Sequence, residues 1–350
     1  MPDQPDGNAR STLGVSYVMP VLNDASHVRA AVESILDQHY DGPVEVLIAL
    51  GPSIDGTSEL VADLAARDAR VRVLDNEVGS TPAGLNLGIR AAQYPVVVRV
   101  DSHSMLPADY TRIAVDTLER TGADNVGGIM AAHGETAFER AVARAYTTPV
   151  GLGGSAFHVG GTAGPVETVY LGVFRRSALE RVGLFDETIK RGQDWELNRR
   201  LRASGGIVWF TPELSVTYRP RSSLERLGRQ MFSTGLWRGE LARRFPAANG
   251  VRYFVPPVMV LGVLLGLLAG LGGLIQALAG QTPWLAAGLV VPIVYLLFVL
   301  VAALLYGRGQ GAASWLWFLV VLPCIHVAWG AGFVLGYLSL TRNIASHTGR

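Results

Sequence analysis

One cysteine, Cys324, and one lysine, Lys190, are all that this chain of 350 residues contains of either type. A single thiol excludes a disulfide or a zinc-thiolate site within one chain, and Cys324 reads as a small packing residue in an apolar stretch. Basic character rests almost wholly on arginine and the formal net charge is +1. That balance supplies no field for nucleic acid, which is excluded as a general partner. Charge of either sign also disappears late in the chain: there is no Asp, Glu, Lys or Arg from Phe254 to Tyr306, nor from Gly309 to Thr341. About 20 apolar residues let a helix cross a bilayer. The segments at about 255–279, 285–306 and 315–340, parted by QTPW and GRGQGAAS, therefore predict three transmembrane helices over 253–341, with 342–350 as a tail. The spans carry almost no polar groups, which argues against a transporter. His326 is the exception, expected to bond a neighbouring helix or to serve the function. MPDQPDGNARSTLG is polar and is no signal peptide, so 1–13 reads as a disordered tail and the amino-terminal domain is expected to stay cytoplasmic.

Within 14–220 the organising stretch is YPVVVRVDSHSMLPAD, Tyr94 to Asp109. Val96, Val97, Val98 and Val100 suit an inner strand of a parallel sheet, covered on both faces. Ligands of open α/β sheets bind beyond the carboxyl ends of the strands, where this strand delivers Asp101 and His103. Those two side chains can share one divalent cation, and the cation can hold a diphosphate. Alternatively Asp101 is the cap of the next helix and His103 an ordinary surface residue. Arg99 lies inside the same apolar strand, where a charge must find a carboxylate or a phosphate.

Strands at Val15–Val21, Val44–Leu50 and 71–75 alternate with helices from Asn23-Asp24 to about Gln38, to about Ala69, and from Thr81, which implies βαβ units and a parallel sheet. Beyond Asp109 the alternation loosens into a helix to Arg120, a strand at Asn125–Ala132 and a helix near HGETAFERAVARAYTT. The loop from Gly151 through Pro165, too rich in glycine to be regular, reads either as a lid, with His158 placed to close over an acceptor, or as a poorly ordered segment. YLGVFRR at 170–176 re-enters the core, and QDWELNRRLRASGG forms a helix with Asp194 in its first turn. From 221 to 252 arginines alternate with apolar residues at helical spacing. A basic amphipathic segment just before a membrane span predicts an interfacial helix on anionic headgroups. The same arginines and Arg308 place their flanks in the cytoplasm by the positive-inside rule, so three spans put the carboxyl terminus outside; Arg342 and Arg350 oppose that.

The motif order from about Val15 to Phe245 resembles the family 2 glycosyltransferases of GT-A fold, and among them the membrane-bound exopolysaccharide glucosyltransferases of the succinoglycan type. VSYVMPVLNDASHVRAAVESILDQ resembles the opening strand and helix that hold the nucleotide, which implies Pro20, Asn23 and Asp24 there. GPSIDGT resembles the second nucleotide-binding turn, with Asp55. VDSHS matches the place of the DxD metal motif, which implies Asp101 and His103 as ligands of Mn²⁺ or Mg²⁺ and sets Asp101 and Arg99 beside the donor. RGQDWELNRRL resembles the ED motif. Asp194 is then the catalytic base, with Gln193 and Glu196 beside it.

TYRPRSSLERLGRQMFSTGLWR resembles the segment before the spans, so Arg229, Gln230, Trp237 and Arg238 become candidates for the acceptor's diphosphate. It lacks the QxxRW pattern of processive synthases. Leu50 departs from the acidic residue that helps read the base in such families. His103 in place of Asp is a softer ligand, suited to Mn²⁺.

The resemblance implies an inverting transfer of a hexose, glucose in the first instance, from a UDP-type nucleotide sugar to a polyprenyl-linked saccharide at the cytoplasmic membrane. Asp194 would deprotonate the attacking hydroxyl, or equally serve only as a helix amino-terminal carboxylate. A polyprenyl-phosphate glycosyltransferase, whose acceptor needs no base, is the alternative. A non-catalytic nucleotide-sugar-binding scaffold is a third reading.

Overall fold

A computed structural model describes residues 12–309, 311–341 and 343–347. The expected tail at 1–13 thus lies almost entirely outside the described residues, as do Arg342 and Arg350. The elements run β1 Val15–Val21, α1 Val28–Leu36, β2 Val44–Leu50, α2 Thr57–Arg67, β3 Val71–Asp75, α3 Thr81–Ala91, β4 Val96–Arg99, α4 Tyr110–Thr121, β5 Asn125–Ala132 and α5 Ala137–Tyr146. Short helices α6 Pro149–Leu152 and α7 Ala156–Val159 follow, then β6 Gly164–Pro165, β7 Tyr170–Arg175, α8 Arg176–Arg181, α9 Gln193–Ala203 and β8 Val208–Tyr218. The chain closes with α10 Leu224–Arg244, α11 Val255–Leu278, α12 Val290–Tyr306 and α13 Ala312–Tyr337. Two compact units result. One comprises Met1–Ile129, Thr162–Glu187 and Asp194–Val216, the other Met130–Gly161, Thr188–Gln193 and Thr217–Arg350.

The first unit carries most of an 8-stranded sheet ordered β3-β2-β1-β4-β7-β5-β8-β6. β3, β2, β1 and β4 are parallel, as the alternation with helices predicts. In the other half, where the alternation with helices loosens, β7 runs antiparallel to both β4 and β5, and β6 antiparallel to β8. Pro20 shows how the sequence respects this pairing. β1 pairs with β4 only from Val15 to Val18, so the proline falls past the last residue whose N–H that ladder would use. Helix α3 packs down on β1 through Gly88, where a Cβ would sit 2.3 Å from a methyl of Val18.

Asn86 of α3 is 2% exposed and fixes the segment leading toward α9. Its amide donates to Phe185 O (2.9 Å) and to Glu187 Oε1 (2.8 Å), and its oxygen accepts from Phe185 N (2.9 Å). The side chain thereby imitates a strand partner for Phe185. α9 is held in turn by Asn198, which accepts from Asn125 at the start of β5 (2.7 Å).

In the second unit α10 lies against α13, α5 against the first half of α13, and α11 against α12. Glycine permits these approaches: on Gly336 a Cβ would stand 2.0 Å from Leu236 O. The stretch from Gly151, expected to be irregular, holds the end of α6 and all of α7.

Asn86→Ala leaves the backbone groups of Phe185 without their partner. It should lower unfolding free energy by about 3 kcal/mol, about 1 for each lost hydrogen bond, with Asn86→Asp recovering little because it cannot donate. Denaturant unfolding of the purified protein measures both.

Candidate active site

The sheet brings two loops together at the carboxyl ends of β1 and β2. Asn23 takes a left-handed conformation (φ 50°), which asparagine tolerates better than most residues. Its N–H then donates to Ser53 Oγ (3.0 Å) and its side-chain oxygen accepts from Ile54 N (2.8 Å). Asp24 N donates to Thr57 Oγ1 (2.9 Å) and Ala25 N to Asp55 Oδ2 (3.2 Å). Asp55 also accepts from Thr57 Oγ1 at 2.5 Å. The Thr57 hydroxyl and backbone N–H groups hold this exposed carboxyl below its usual range. Asn23 and Asp55 therefore lace the two loops into one rim.

Asp24 ties that rim to the end of β4. Its carboxylate accepts from Ser102 Oγ and from His27 Nδ1 (2.6 Å), and lies 3.7 Å from His103 Nδ1. Burial opposes its ionisation, but the nearby His103 imidazole and the hydrogen bonds from Ser102 and His27 outweigh it and hold the carboxyl well below the ordinary range. Asp101 and His103 stand at the sheet edge, their side chains 23% and 49% exposed.

Arg99 finds the partner that a buried charge demands, and finds two. From a side chain 8% exposed, Nη2 donates to Asp101 Oδ1 (3.0 Å) and Nη1 meets Asp194 Oδ1. Burial would discharge the guanidinium; the Asp101 and Asp194 carboxylates more than offset it and hold the group firmly cationic. The strand-end aspartate and the aspartate in the first turn of α9 thus share one cation. Glu196, 3% exposed, faces Arg199 (3.1 Å) and Arg200 (2.7 Å) instead.

Beyond β2 and β3 lies a cavity of about 530 Å³ lined by Leu50, Gly51, Pro52, Ser58, Val73, Asp75 and Glu77. Leu50 pairs in register with Asp75. Two carboxylates, Asp75 on β3 and Glu77 just past it, thus line this cavity together with Leu50. Sequence reasoning missed Asp75, although it closes VRVLD as Asp101 closes its own strand.

The acceptor candidates of the second unit separate. Gln230 is buried, donates to Tyr218 OH (2.9 Å) and lies 3.5 Å from Tyr146 OH. Arg191, which the sequence did not single out, donates to Thr234 Oγ1 (2.9 Å), and Thr234 donates to Gln230 O (2.8 Å). His158 joins this cluster with its ring 6.4 Å from that of Tyr146, and burial pushes its imidazole down to about 4, which keeps it neutral. Burial raises the Tyr146 phenol well above its usual value, with Arg221 and Arg191 pulling the other way. The other candidates are engaged in the fold. Arg229 pairs with Glu225 (2.7 Å), Trp237 is 1% exposed, and Arg238 donates to Asn249 (2.7 Å) while lying over the Tyr253 ring at 3.7 Å. Gln193 is 9% exposed at the start of α9.

The profile described as glycosyl transferase family 2 matches residues 16–183. The succinoglycan biosynthesis protein ExoA of Rhizobium meliloti is 31% identical over 94% of this chain and 96% of its own length. The chain belongs to glycosyltransferase family 2. A Methanococcus voltae dolichyl N-acetyl-α-D-glucosaminyl phosphate diacetamido-dideoxy-glucuronosyltransferase is 25% identical over 66% of the chain and 74% of its own length. Among solved structures, the Pyrobaculum calidifontis mannosyltransferase PcManGT, in complex with GDP-mannose and Mn²⁺, superposes with a TM-score of 0.56 at 19% identity, covering 93% of this chain and 88% of that one. That likeness identifies the fold as GT-A, and the protein is a glycosyltransferase with three helices long and apolar enough to cross a membrane.

Removing the shared cation strands two carboxylates. Arg99→Met should cost about 3 kcal/mol, the lower end for a broken buried pair because both partners are partly solvated, and Arg99→Lys less. Thermal unfolding of the ligand-free protein reads the difference.

Proposed function

We propose that this protein is an inverting, metal-dependent transferase moving a hexose, glucose in the first instance, from a nucleoside-diphosphate sugar to a lipid-linked saccharide during cell-surface polysaccharide assembly. The observation that carries the reading is the Arg99 guanidinium, which joins Asp101 to Asp194. The two motif aspartates, far apart in the chain, converge on one group.

The donor's diphosphate would lie at the carboxyl ends of β1 and β4, against the laced rim. Asp101 offers an oxygen and His103 a nitrogen at that edge, a donor set that suits Mn²⁺ or Mg²⁺ completed by phosphate oxygens and water. Among the described residues no three His, Cys, Asp or Glu side chains converge on a metal, so the protein alone does not complete such a site. A divalent cation bound there would neutralise the leaving diphosphate. PcManGT carries Mn²⁺ with its nucleotide sugar. Asp194, one oxygen on Arg99, would take the acceptor's proton with the other as the hydroxyl attacks the anomeric carbon opposite the leaving group, which inverts the configuration.

In the cavity beside β2 and β3 the base would meet Asp75 and Glu77. Carboxylates there accept from N–H groups, as the uracil ring N3–H or the guanine ring N1–H with its exocyclic N2–H₂ offer, and adenine lacks a ring N–H on that edge. For the acceptor, the Arg191, Tyr146, Tyr218 and Gln230 cluster supplies the donors that a lipid-linked phosphate requires. The name of the Methanococcus relative describes a lipid-phosphate-linked sugar as acceptor, which favours a saccharide hydroxyl over a bare polyprenyl phosphate.

Asp194→Asn is expected to lower kcat by about 10²–10⁴ with donor affinity unchanged. Sugar transfer from labelled donors to lipid extracts measures the rate; a variant that keeps it would instead support the polyprenyl-phosphate alternative. In thermal unfolding, one of UDP or GDP with Mn²⁺ should stabilise the protein by about 2.7 kcal/mol at 100 times its dissociation constant. Asp75→Ala should weaken that nucleotide while ADP stays without effect in both proteins. No nucleotide shifting the transition would sink the donor assignment.

A further inference from the structure

The three apolar helices of the second unit are clothed very differently. Across their most apolar windows α11 is 11% buried, α12 17% and α13 44%. What covers α13 is protein that carries charge. Its first half rests on α5, with Ser314 Oγ donating to Ala137 O (3.0 Å) and Trp317 edge-on to Phe138 at 5.1 Å. Its second half rests on α10 through facing glycines. A Cβ on Gly235 would fall 2.0 Å from Trp329 O, and one on Gly239 2.1 Å from Phe333 O; from the other side, one on Gly332 would fall 2.2 Å from Phe232 O. The contacts rise together along both helices, so the pair is parallel and backbone touches backbone, the manner of small-xxx-small seams.

That seam decides where α13 can be. α10 presents Arg226, Arg229, Arg243 and Arg244 as exposed side chains, and α5 carries Glu139, Arg140 and Arg144. A spanning α13 would draw these charges into hydrocarbon beside it, where they are expensive and would face no compensating cavity. Beyond α13 the chain comes back to α10: Trp237 Nε1 donates to His347 O (3.0 Å), and the Phe232 and His347 rings meet at 6.2 Å. α10 precedes every apolar helix, so His347 lies on the side of the membrane that α10 occupies. Three crossings cannot return it there, and two can.

We propose that only α11 and α12 cross the bilayer, as a hairpin, and that α13 lies along the near boundary, clamped to α5 and α10 with its free face in the acyl chains of that leaflet. The hairpin is tightly closed: a Cβ on Gly270 would fall 2.3 Å from Leu289. Both of its legs meet α13, through Phe254 on Phe333 (5.4 Å) and Tyr295 OH to His326 Nδ1 (3.1 Å). His326 Nε2 also contacts Val150 O (2.7 Å), so this histidine of the third apolar stretch ties α6 to the middle of the α12 leg. The apolar surface of α11 and α12 thus continues onto α13, whose exposed Leu316, Trp317, Val320, Val327 and Tyr337 suit a lipid boundary, the aromatics at headgroup depth. The inference is independent of which sugar or acceptor the enzyme uses.

Single cysteines in full-length Cys324→Ser protein test it, reacted in sealed vesicles of one orientation with a membrane-impermeant maleimide before and after permeabilisation. Ala66→Cys marks the catalytic domain, Thr282→Cys the hairpin tip, Arg308→Cys the next turn and Ser346→Cys the end of the described chain; all four positions are exposed. The expected result is that Ala66→Cys, Arg308→Cys and Ser346→Cys share one accessibility and Thr282→Cys has the opposite one. Ser346→Cys behaving like Thr282→Cys would mean that α13 crosses, and would overturn the proposal. Thr282→Cys behaving like Ala66→Cys would mean that the hairpin does not cross, and would overturn it equally.

Discussion

A guanidinium buried in an inner strand is the constraint around which the catalytic domain is arranged. Arg99 cannot lose its proton at any ordinary pH, so its burial is tolerable only with carboxylates in reach. Asp101 comes with the strand, two residues on. Asp194 must be delivered by a different part of the chain, and the fold spends several buried polar contacts on doing so. Asn86 fixes Phe185 and Glu187, Asn198 is bonded to Asn125 at the start of β5, and Arg200 joins Glu196 while donating to Val182 O. A planar fork with several donors suits two carboxylates at once better than a lysine ammonium would, which is a reason for arginine at this place.

The same economy appears at the loops. Asn23 and Asp55 could each have been read as a nucleotide ligand or as a local cap, and the geometry makes them hold each other's loops. A rim fixed by four cross-loop bonds presents its backbone in one conformation, and a preformed rim lowers the ordering cost of binding a diphosphate. Asp24 extends that order to Ser102 and His103, so the candidate metal edge is stiffened from a different strand.

The parallel half of the sheet was legible because its signals are local. Valine runs bounded by Gly, Pro and Asp specify β1 to β4 to within a residue, and Asp101 and Asp194 stand where their motifs put them. In the other half β5 and β7 were legible as segments, but their antiparallel pairing and the strand β8 were not. β8 contains Pro212 and Glu213, both exposed, and its neighbours in the sheet, β5 and β6, lie far from it in the chain. Asp75 escaped notice because its relevance lies in register with Leu50, which only strand pairing supplies. The charge-free segments were plain in composition, but hydropathy measures a helix against lipid alone. It cannot see that α13 offers Gly332 and Gly336 to another helix, since glycine counts as neutral in such a scale while deciding how closely two backbones approach.

A basic amphipathic stretch before a span is ordinarily taken to meet headgroups directly. Here the more apolar face of α10 is already used: Leu227, Met231, Leu236, Trp237 and Leu241 are buried. Three of its exposed arginines pair with acidic residues of the same helix, Arg229 with Glu225 and Arg243 and Arg244 with Glu240, and α13 supplies the apolar contact that a lone interfacial helix would have to make itself. A hairpin with a clamped platform encloses no conduit, because two crossing helices packed backbone to side chain leave no room between them. Under the proposed function, such a hairpin would serve a lipid-borne acceptor at the membrane surface and would offer no path for extruding a product.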